Sequence, residues 1–302
     1  MSSRVILSVD VEDWYHGPTV INPQDPARSL QSILAGGKAV ERAHSYIHTC
    51  LELFSRHRVK ATFFWVAEYA RRFPHLMRAV VGEGHEIACH GLWHGSKVNA
   101  KTKRSTYSRD EFRRITGEAK SIIEDQAGQS VVGYRAPNAY VSGVMIDVLE
   151  EMGFRYDSSV SVNSLYNKTD AVLRGVSTSP YYPRRGSLEK GSEPRSIVEF
   201  PWPYWNVLGF KLQTAGGPFL RIFGRRLICA GLRQSLRRGH TIFYFHPVDL
   251  CNEPIPMPFH WSRPFLWALK GDIIRQRVDR ILGAFSDRAA NFASILDGPL
   301  FQ

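Results

Sequence analysis

Residues 59–94 are VKATFFWVAEYARRFPHLMRAVVGEGHEIACHGLWH. Residues 59–66 are rich in β-branched and aromatic side chains, a composition that predicts a buried strand. Residues 73–81 carry apolar side chains and are followed by Gly82 and Gly84, a pattern that predicts a helix and its end. Residues 85–90 predict a second, shorter strand. A helix between two strands is typical of a βαβ unit, in which the two strands are parallel.

The same alternation extends along the chain on both sides of this unit. The predicted strands are residues 5–9, 59–66, 85–90, 129–133 and 241–245, and the predicted helices are residues 39–57, 73–81, 110–127 and 142–152. Strands that alternate with helices of this length favour a parallel sheet covered by helices. Because no G-x-G-x-x-G follows the first strand, we expect an α/β barrel rather than an open doubly wound sheet.

The chain has 302 residues, a length that fits one barrel-sized α/β domain or two ordinary domains. Hydrophobic residues make up 43% and charged residues 22%, which excludes a disordered chain. No repeat or linker divides the sequence, so we expect residues 1–302 to form a single domain. Within it, residues 161–196 predict an irregular insertion, and the residues after about 250 predict a C-terminal extension.

The formal net charge of +11 favours anionic partners such as acidic lipid headgroups or phosphorylated substrates. Nucleic acid is not an expected partner, because the sequence contains no helix-turn-helix, zinc finger or interleaved aromatic and basic residues. A plain basic surface is the alternative explanation of the charge.

Three features predict a cytoplasmic protein. The four cysteines are scattered and form no C-x-x-C pair, which suits a reducing compartment. The apolar run of residues 5–9 is too short for a secretory signal and is interrupted by Asp10. No apolar run approaches the ~18 residues of a membrane span.

Polar side chains collect where the predicted strands end. These strand ends are residues 10–13 (DVED), 90–94 (HGLWH), 133–137 (GYRAP) and 246–249 (HPVD). Because reactive groups of parallel α/β proteins lie at the carboxyl ends of the strands, we expect these side chains to meet. Two histidines and one carboxylate are the protein ligands of a catalytic divalent metal ion. A second H-x-x-x-H, formed by His44 and His48, lies in a predicted helix without such a carboxylate and indicates surface or packing histidines.

Five segments resemble the motifs of polysaccharide deacetylases with the NodB-homology domain, carbohydrate esterase family four. They are residues 8–16 (SVDVEDWYH), residues 59–66 with 84–94, residues 133–137, residues 153–159 (GFRYDSS) and residues 243–247 (FYFHP), in the order of the family. Residues 199–201 (EFP) and 216–219 (GGPF) are similar to the branch associated with exopolysaccharide gene clusters. The resemblance implies a distorted (β/α) barrel with seven strands.

The resemblance also implies a divalent metal ion, with Zn²⁺ preferred and Co²⁺, Ni²⁺ or Mn²⁺ as alternatives. Its ligands would be His90, His94 and either Glu12 or Asp13. Most of the family carries adjacent aspartates, whereas this chain has D-x-E-D. Side chains two apart on a strand share a face, so Glu12 is the first choice beside Asp10, and Asp13 is the second.

Further residues follow from the same resemblance. Asp10 would be the general base held by Arg135, and His246 the general acid oriented by Asp157. The alternative for Asp157 is a cap of the turn that contains Ser158 and Ser159. A backbone N–H after Pro137, near Asn138, would stabilise the oxyanion. The expected substrate-binding residues are Trp93, Tyr134, Pro137, Asn138, Trp202 and Trp205.

The expected activity is removal of the acetyl group from an N-acetylated sugar, in a polysaccharide or a lipid-linked precursor. One alternative is a metal-independent amidohydrolase that acts on a non-sugar C–N bond. Another is a catalytically silent carbohydrate-binding homologue.

A basic segment late in the chain suggests where the protein works. Its arginines are Arg221, Arg225, Arg226, Arg233, Arg237 and Arg238. Apolar and basic residues interleave there without a clean apolar stripe, so an inserted amphipathic helix is not expected. The segment instead predicts peripheral contact with anionic headgroups at the inner face of the membrane, or with the phosphates of a lipid-linked sugar. A solvated basic face of one more barrel helix is the alternative.

Overall fold

The structure is a computed structural model that describes residues 2–17, 20–22, 25–36, 41–99, 102, 104–161, 179–255 and 269–298. Residues 162–178 of the predicted insertion and residues 256–268 of the predicted extension lie outside the described residues. The strands are β1 Val5–Val11, β2 Thr62–Trp65, β3 Glu86–Cys89, β4 Gly133–Tyr134, β5 Tyr156–Asp157, β6 Val198–Glu199, β7 Tyr204–Val207, β8 Phe210–Gln213, β9 Thr241–Phe245 and β10 Ala289–Ala290. The helices are α1 Pro26–Ala35, α2 Ala43–Arg56, α3 Ala67–Arg72, α4 Pro74–Gly82, α5 Arg109–Ala127, α6 Gly143–Glu151, α7 Pro218–Leu236, α8 Asp272–Phe285 and α9 Phe292–Leu296.

The main sheet is parallel throughout its described strands and is centred on β1. Strand β9 pairs with one edge of β1, and β2, β3, β4, β5 and β6 follow in order from the other edge. The two-residue strand β10 pairs with Val5 and Ile6, beside the start of β1. This curled, seven-stranded sheet with a short eighth strand and surrounding helices confirms the predicted (β/α) barrel class.

The residues around the hairpin β7–β8 connect the two sides of the curled sheet. Thr214 donates its backbone N–H to the carbonyl of Pro203, which follows β6. The backbone N–H of Tyr244 in β9 then donates to Ala215, and Gly217 donates to the carbonyl of Tyr244. The wall between β6 and β9 is therefore bridged by backbone hydrogen bonds rather than by a long strand.

Helices α2, α4, α5 and α6 follow their sequence signals closely. Helix α5 begins after Ser108, whose side chain accepts the backbone N–H of Glu111, and it ends at Gly128 with φ +66°. Its buried face is formed by Phe112, Thr116, Ala119 and Ile123, which recur at helical spacing. The main departures are α8, where the sequence predicts no helix, and α7, where a helix is only the alternative. Among short elements, residues 129–133 contain only the start of β4, and the two-residue strands β5 and β6 gave no periodic pattern.

Residues 292 and 293, which follow β10, contact strands β3 and β5. Phe292 stacks on Tyr156 with ring centroids 4.7 Å apart, and the backbone N–H of Ala293 donates to Glu86. Helix α9 is thereby attached to strands β3 and β5. No helix in the described ranges combines the length and the apolar composition needed to cross a bilayer.

Gly216 provides a test of the connection between β6 and β9. Its φ is +128°, and a Cβ atom added there would lie 1.9 Å from the carbonyl oxygen of Tyr244. We expect Gly216→Ala to lower the free energy of unfolding by ~1–3 kcal/mol, because the backbone must shift to relieve the clash. Gly82→Ala is the matched control, since no atom lies within 4 Å of its added Cβ. Urea unfolding measures both variants, and equal stability of the two would contradict this account of the bridge.

Candidate active site

Side chains from four strand ends meet in one open cleft at the carboxyl edge of the sheet. Asp10 lies on β1 and Glu12 directly follows it, while His90 follows β3, Arg135 follows β4 and His246 follows β9. The cleft encloses about 880 Å³, counting the space open to solvent. Its lining comprises Asp10, Glu12, Asp13, Gly17, His90, His94, Arg135, Ala136, Asn138, Ala139, Trp202, Pro218, Phe219, Arg221, Tyr244, His246 and Val248.

His90 and His94 point the same nitrogen toward the same place. The Nδ1 atom of His90 lies 2.8 Å from the carbonyl oxygen of Arg135, and that of His94 lies 2.9 Å from the carbonyl oxygen of His16. A carbonyl only accepts hydrogen bonds, so both Nδ1 atoms carry the proton and a neutral ring presents its Nε2 lone pair. The two Nε2 atoms are only 3.1 Å apart. One cation can contact both atoms at once, because the distance from zinc to a histidine nitrogen is ~2.0–2.1 Å.

Glu12 completes this group. Its Oε2 atom lies 2.5 Å from Nε2 of His94, and its Oε1 atom lies 3.1 Å from Nε2 of His246. The three possible ligand atoms of Glu12, His90 and His94 lie within 4.8 Å of one another. Burial raises the pKa of Glu12, but the adjacent histidines outweigh burial and hold that pKa below its usual range.

The two histidines differ in protonation. Burial lowers the pKa of His94, but the charge of Glu12 outweighs burial and raises that pKa above its usual value. Burial lowers the pKa of His90 to about 4, although the charge of Asp10 acts in the opposite direction. His90 is therefore neutral at pH 7, which is the form that binds a metal. Two imidazole nitrogens and one carboxylate oxygen, each imidazole held by a backbone carbonyl, fit a divalent ion of the zinc type.

Asp13, the second choice of metal ligand, binds neighbouring backbone instead. Its carboxylate accepts the backbone N–H of Trp14 at 2.8 Å, of Arg42 at 2.7 Å and of Ala43 at 2.9 Å. Tyr69 donates its hydroxyl to the same group at 3.3 Å. The geometry therefore assigns the carboxylate of the cluster to Glu12 and makes Asp13 a cap for neighbouring backbone. The alternative prediction that Asp13 is a metal ligand is therefore wrong.

Asp10 is held beside the cluster by Arg135. The guanidinium Nη1 atom of Arg135 donates to Asp10 at 2.5 Å and to Ser8 at 3.1 Å. Its Nε and Nη2 atoms donate to the carbonyl and hydroxyl of Ser158, both at 3.1 Å. Arg135 is fully buried, so the orientation of Asp10 is fixed by a guanidinium with little freedom to move.

His246 is oriented by Asp249 and not by Asp157. The Oδ2 atom of Asp249 lies 3.0 Å from Nδ1 of His246 and accepts the backbone N–H of the same histidine at 2.9 Å. Arg221 forms an ion pair with the other oxygen of Asp249. The prediction that Asp157 orients His246 is wrong, because the sequence reasoning overlooked a carboxylate one turn away.

Asp157 instead belongs to a buried carboxyl pair with Glu199. It accepts the backbone N–H and the hydroxyl of Ser159, at 3.1 and 2.7 Å. Burial and the charge of Asp157 raise the pKa of Glu199 well above its usual range, and burial also raises the pKa of Asp157. The pair therefore retains a shared proton at pH values where separate carboxyl groups have lost theirs.

The expected substrate-binding residues divide into two groups. Asn138 and Trp202 line the cleft. Trp93, Tyr134 and Pro137 line a separate small cavity, and Trp205 lies on β7 and lines neither. Tyr134 also packs edge-on against the rings of Phe112 and Phe154. Trp93, Tyr134, Pro137 and Trp205 therefore lie outside the lining of the cleft, and sugar contact by them stays a prediction.

Part of the cleft has an unusual backbone. His94, Asn138 and Ala139 have φ of +57°, +55° and +59°, in the left-handed region. Each such residue costs ~1–3 kcal/mol and is typical of sites whose geometry serves a ligand. The turn after Pro137 thereby brings Asn138 to the cleft, where the sequence placed an oxyanion-binding N–H.

Several cleft residues were missed in the sequence. Tyr244 lies two positions before His246 on β9, so the alternation of a strand could have placed it on the same face. Pro218 and Phe219, which begin α7, carried no such signal. Arg221 was assigned to a surface patch, but it is 3% exposed.

The basic segment around α7 is therefore less uniform than the sequence indicates. Arg221 is buried against Asp249, and Arg238 donates to the carbonyl of Tyr204 at 2.7 Å. Arg226, Arg233 and Arg237 are exposed. Contact with an anionic membrane stays a prediction that rests on these exposed arginines.

Comparison with known proteins gives two family matches. Residues 39–156 match the polysaccharide deacetylase family model, and residues 165–293 match a domain of unknown function, DUF3473. The chain is 26% identical over 165 residues to a peptidoglycan deacetylase of Helicobacter pylori. This alignment covers 55% of the chain and 46% of the H. pylori protein, so the chain spans about half the length of that relative.

Solved structures share the fold at low identity. A Mycobacterium smegmatis protein described as a polysaccharide deacetylase superposes with a TM-score of 0.58 and 21% identity, covering 97% of this chain and 88% of that one. An allantoinase superposes with a TM-score of 0.53 and 16% identity, covering 96% and 88%. Residues 39–156 are thus similar to the polysaccharide deacetylase family. His90, His94 and Arg135 of the site lie within the residues that match this family model.

Two matched substitutions distinguish the acids of the candidate site. Glu12→Gln should lower the affinity for Zn²⁺ by more than ~100-fold, since even outer partners of metal ligands contribute ~10–100-fold. Asp13→Asn should keep Zn²⁺ affinity but lower the melting temperature, because an amide cannot accept all the N–H groups around it. Zinc titration with each purified variant measures the difference. The opposite order would assign the ligand to Asp13.

The carboxyl pair predicts a pH dependence of stability. The folded chain keeps a proton on Asp157 and Glu199 that the unfolded chain loses, so the free energy of unfolding should fall as pH rises above the usual carboxyl range. Glu199→Gln should flatten this fall between pH ~4 and ~8. Exposed Glu193→Gln is the control and should keep the wild-type slope. An unchanged slope in Glu199→Gln would contradict the shared proton.

Proposed function

We propose that this protein is a metal-dependent hydrolase that removes the acetyl group from an N-acetylated amino sugar and releases acetate. The observation that carries the proposal is the Glu12, His90 and His94 cluster, with Asp10 and His246 beside it in one cleft. A base, an acid and a metal-ligand set are the groups that amide hydrolysis needs. A silent carbohydrate-binding homologue would not require this combination.

Glu12, His90 and His94 would hold the ion, and a bound divalent cation would polarise the acetyl carbonyl and acidify a water molecule. Asp10 takes the proton of the attacking water as general base. Its carboxylate is suited to this task because the buried guanidinium of Arg135 donates a hydrogen bond to it and orients it. Such a base contributes ~10²–10⁴-fold in rate.

His246 lies across Glu12 from His94 and serves as the general acid. When the C–N bond of the tetrahedral intermediate breaks, Nε2 of His246 gives its proton to the leaving sugar amine. The intermediate's oxygen lies near the turn that carries Asn138, whose backbone is displayed at the cleft.

The cleft walls favour a sugar substrate. Trp202 and Tyr244 pack with ring centroids 4.9 Å apart at one side, and Phe219 lines the cleft as well. Aromatic faces suit the apolar faces of pyranose rings, while the charged groups above suit an acetamido group. The cleft is open to solvent, which favours a polymer or a lipid-linked precursor over a fully enclosed small molecule.

Two further observations bear on the substrate class. The H. pylori relative is a peptidoglycan deacetylase, which supports an N-acetylated sugar. Residues 199–201 and 216–219 resemble the exopolysaccharide-associated branch, so a precursor or product of exopolysaccharide synthesis is the substrate we propose. The allantoinase of this fold makes a non-sugar C–N bond the competing substrate class.

Acetate release tests the proposal. We expect the Zn²⁺-loaded protein to release acetate from N-acetylglucosamine oligomers, and chelator to abolish this release reversibly. Asp10→Asn should lose ~10²–10⁴-fold in kcat and keep one bound metal ion, because the general base is not a ligand. Chelator-resistant activity on allantoin, with none on the oligomers, would establish the competing amidohydrolase.

A further inference from the structure

The residues matched by the domain of unknown function, 165–293, make up a large share of the cleft. They contribute Trp202, Phe219, Arg221 and His246 to its lining, and Asp249 directly behind it. We propose that this region supplies the proton-donor half of the site, in which Arg221 and Asp249 are positioning residues for His246. The inference rests on the proposed function, because Arg221 and Asp249 would act on the reaction only through His246.

Asp249 holds His246 at two atoms. It lies in the turn Pro247–Leu250 and is completely buried. Its Oδ2 atom meets both the backbone N–H and the ring Nδ1 of His246, at 2.9 and 3.0 Å. Two contacts with one residue fix the rotation of the ring, and Nε2 is thereby aimed at Oε1 of Glu12, 3.1 Å away in the cleft.

Arg221 balances the charge of Asp249. Its guanidinium pairs with the Oδ1 atom of Asp249, and both side chains are at most 4% exposed. A buried carboxylate without a partner is strongly unfavourable, so this ion pair allows Asp249 to stay charged next to His246.

The rest of the region holds Arg221 in place. Helix α7 is broken at Gly224, where φ is +67°, one turn after Arg221. Arg277 of α8 donates to the carbonyl oxygens of Leu220 and Arg221, both at 2.9 Å. The backbone N–H of Gly271 donates to the carbonyl of Asp249 at 2.8 Å. Helix α8 therefore contacts Arg221 of α7, Arg221 contacts Asp249, and Asp249 contacts the proposed acid His246.

A purely structural ion pair would predict something different from a positioning pair. Loss of a structural pair would lower stability and reduce every reaction of the site alike. Loss of a positioning pair would reduce only a reaction whose leaving group needs a proton. An amine leaving a sugar needs one, whereas the 4-nitrophenolate that leaves 4-nitrophenyl acetate does not.

The test compares these two substrates with Asp249→Asn, Arg221→Met and Arg221→Lys in the Zn²⁺-loaded protein. We expect Asp249→Asn and Arg221→Met to lose ~10–100-fold in kcat on N-acetylglucosamine oligomers, with little change in KM. Their kcat on the ester and their content of bound zinc should stay close to the wild-type values. Arg221→Lys should recover part of the loss. Exposed Arg280→Met, on α8, is the matched control and should behave as wild type.

A double-mutant cycle completes the test. In a His246→Ala background, Asp249→Asn should cause no further loss on the oligomers, because it acts through the missing ring. An additional loss there, or an equal loss on amide and ester, would overturn the inference. Asp249→Asn preserves side-chain volume and carries the test if Arg221→Met does not fold. Wild-type protein that releases no acetate from the oligomers would reject the proposed function instead.

Discussion

The buried contact between Arg135 and Asp10 is the constraint around which this cleft is built. Removing two charges from water costs several kcal/mol per ion, so the pair is favourable only when the remaining donors are satisfied. Ser8 and Ser158 meet these donors, and they come from β1 and the segment after β5. The carbonyl of Arg135 in turn fixes His90. One residue thus holds the proposed base with its guanidinium and a metal-binding ring with its backbone.

This arrangement joins two regions of the chain into one site. The base, the cluster of Glu12, His90 and His94, and Arg135 come from the strands before residue 136. The acid half comes from β9 and the turn after it, held by α7 and α8. Because β9 pairs with β1 over five residues, His246 and Glu12 are brought together at the same edge of the sheet.

Much of the site could be predicted because the carboxyl ends of parallel strands meet wherever the strands are adjacent. That rule needed only the strand ends, and it brought Asp10, Glu12, His90 and Arg135 together. It failed where side-chain direction depends on local backbone. Asp13 turns away because it caps a 3₁₀ turn, and Asp157 points to Ser159. The two-residue strands and the bridge between β6 and β9 depend on pairing between distant segments, which a local pattern does not encode.

The central claim is that two imidazoles and one glutamate form a cation site beside Asp10. Anomalous diffraction from a crystal grown with Co²⁺ tests it most directly. The account predicts one strong anomalous peak per chain, within bonding distance of Nε2 of His90 and His94 and of the carboxylate of Glu12. A peak bound by Asp13, or an ordered water with no peak between the two Nε2 atoms, would contradict it.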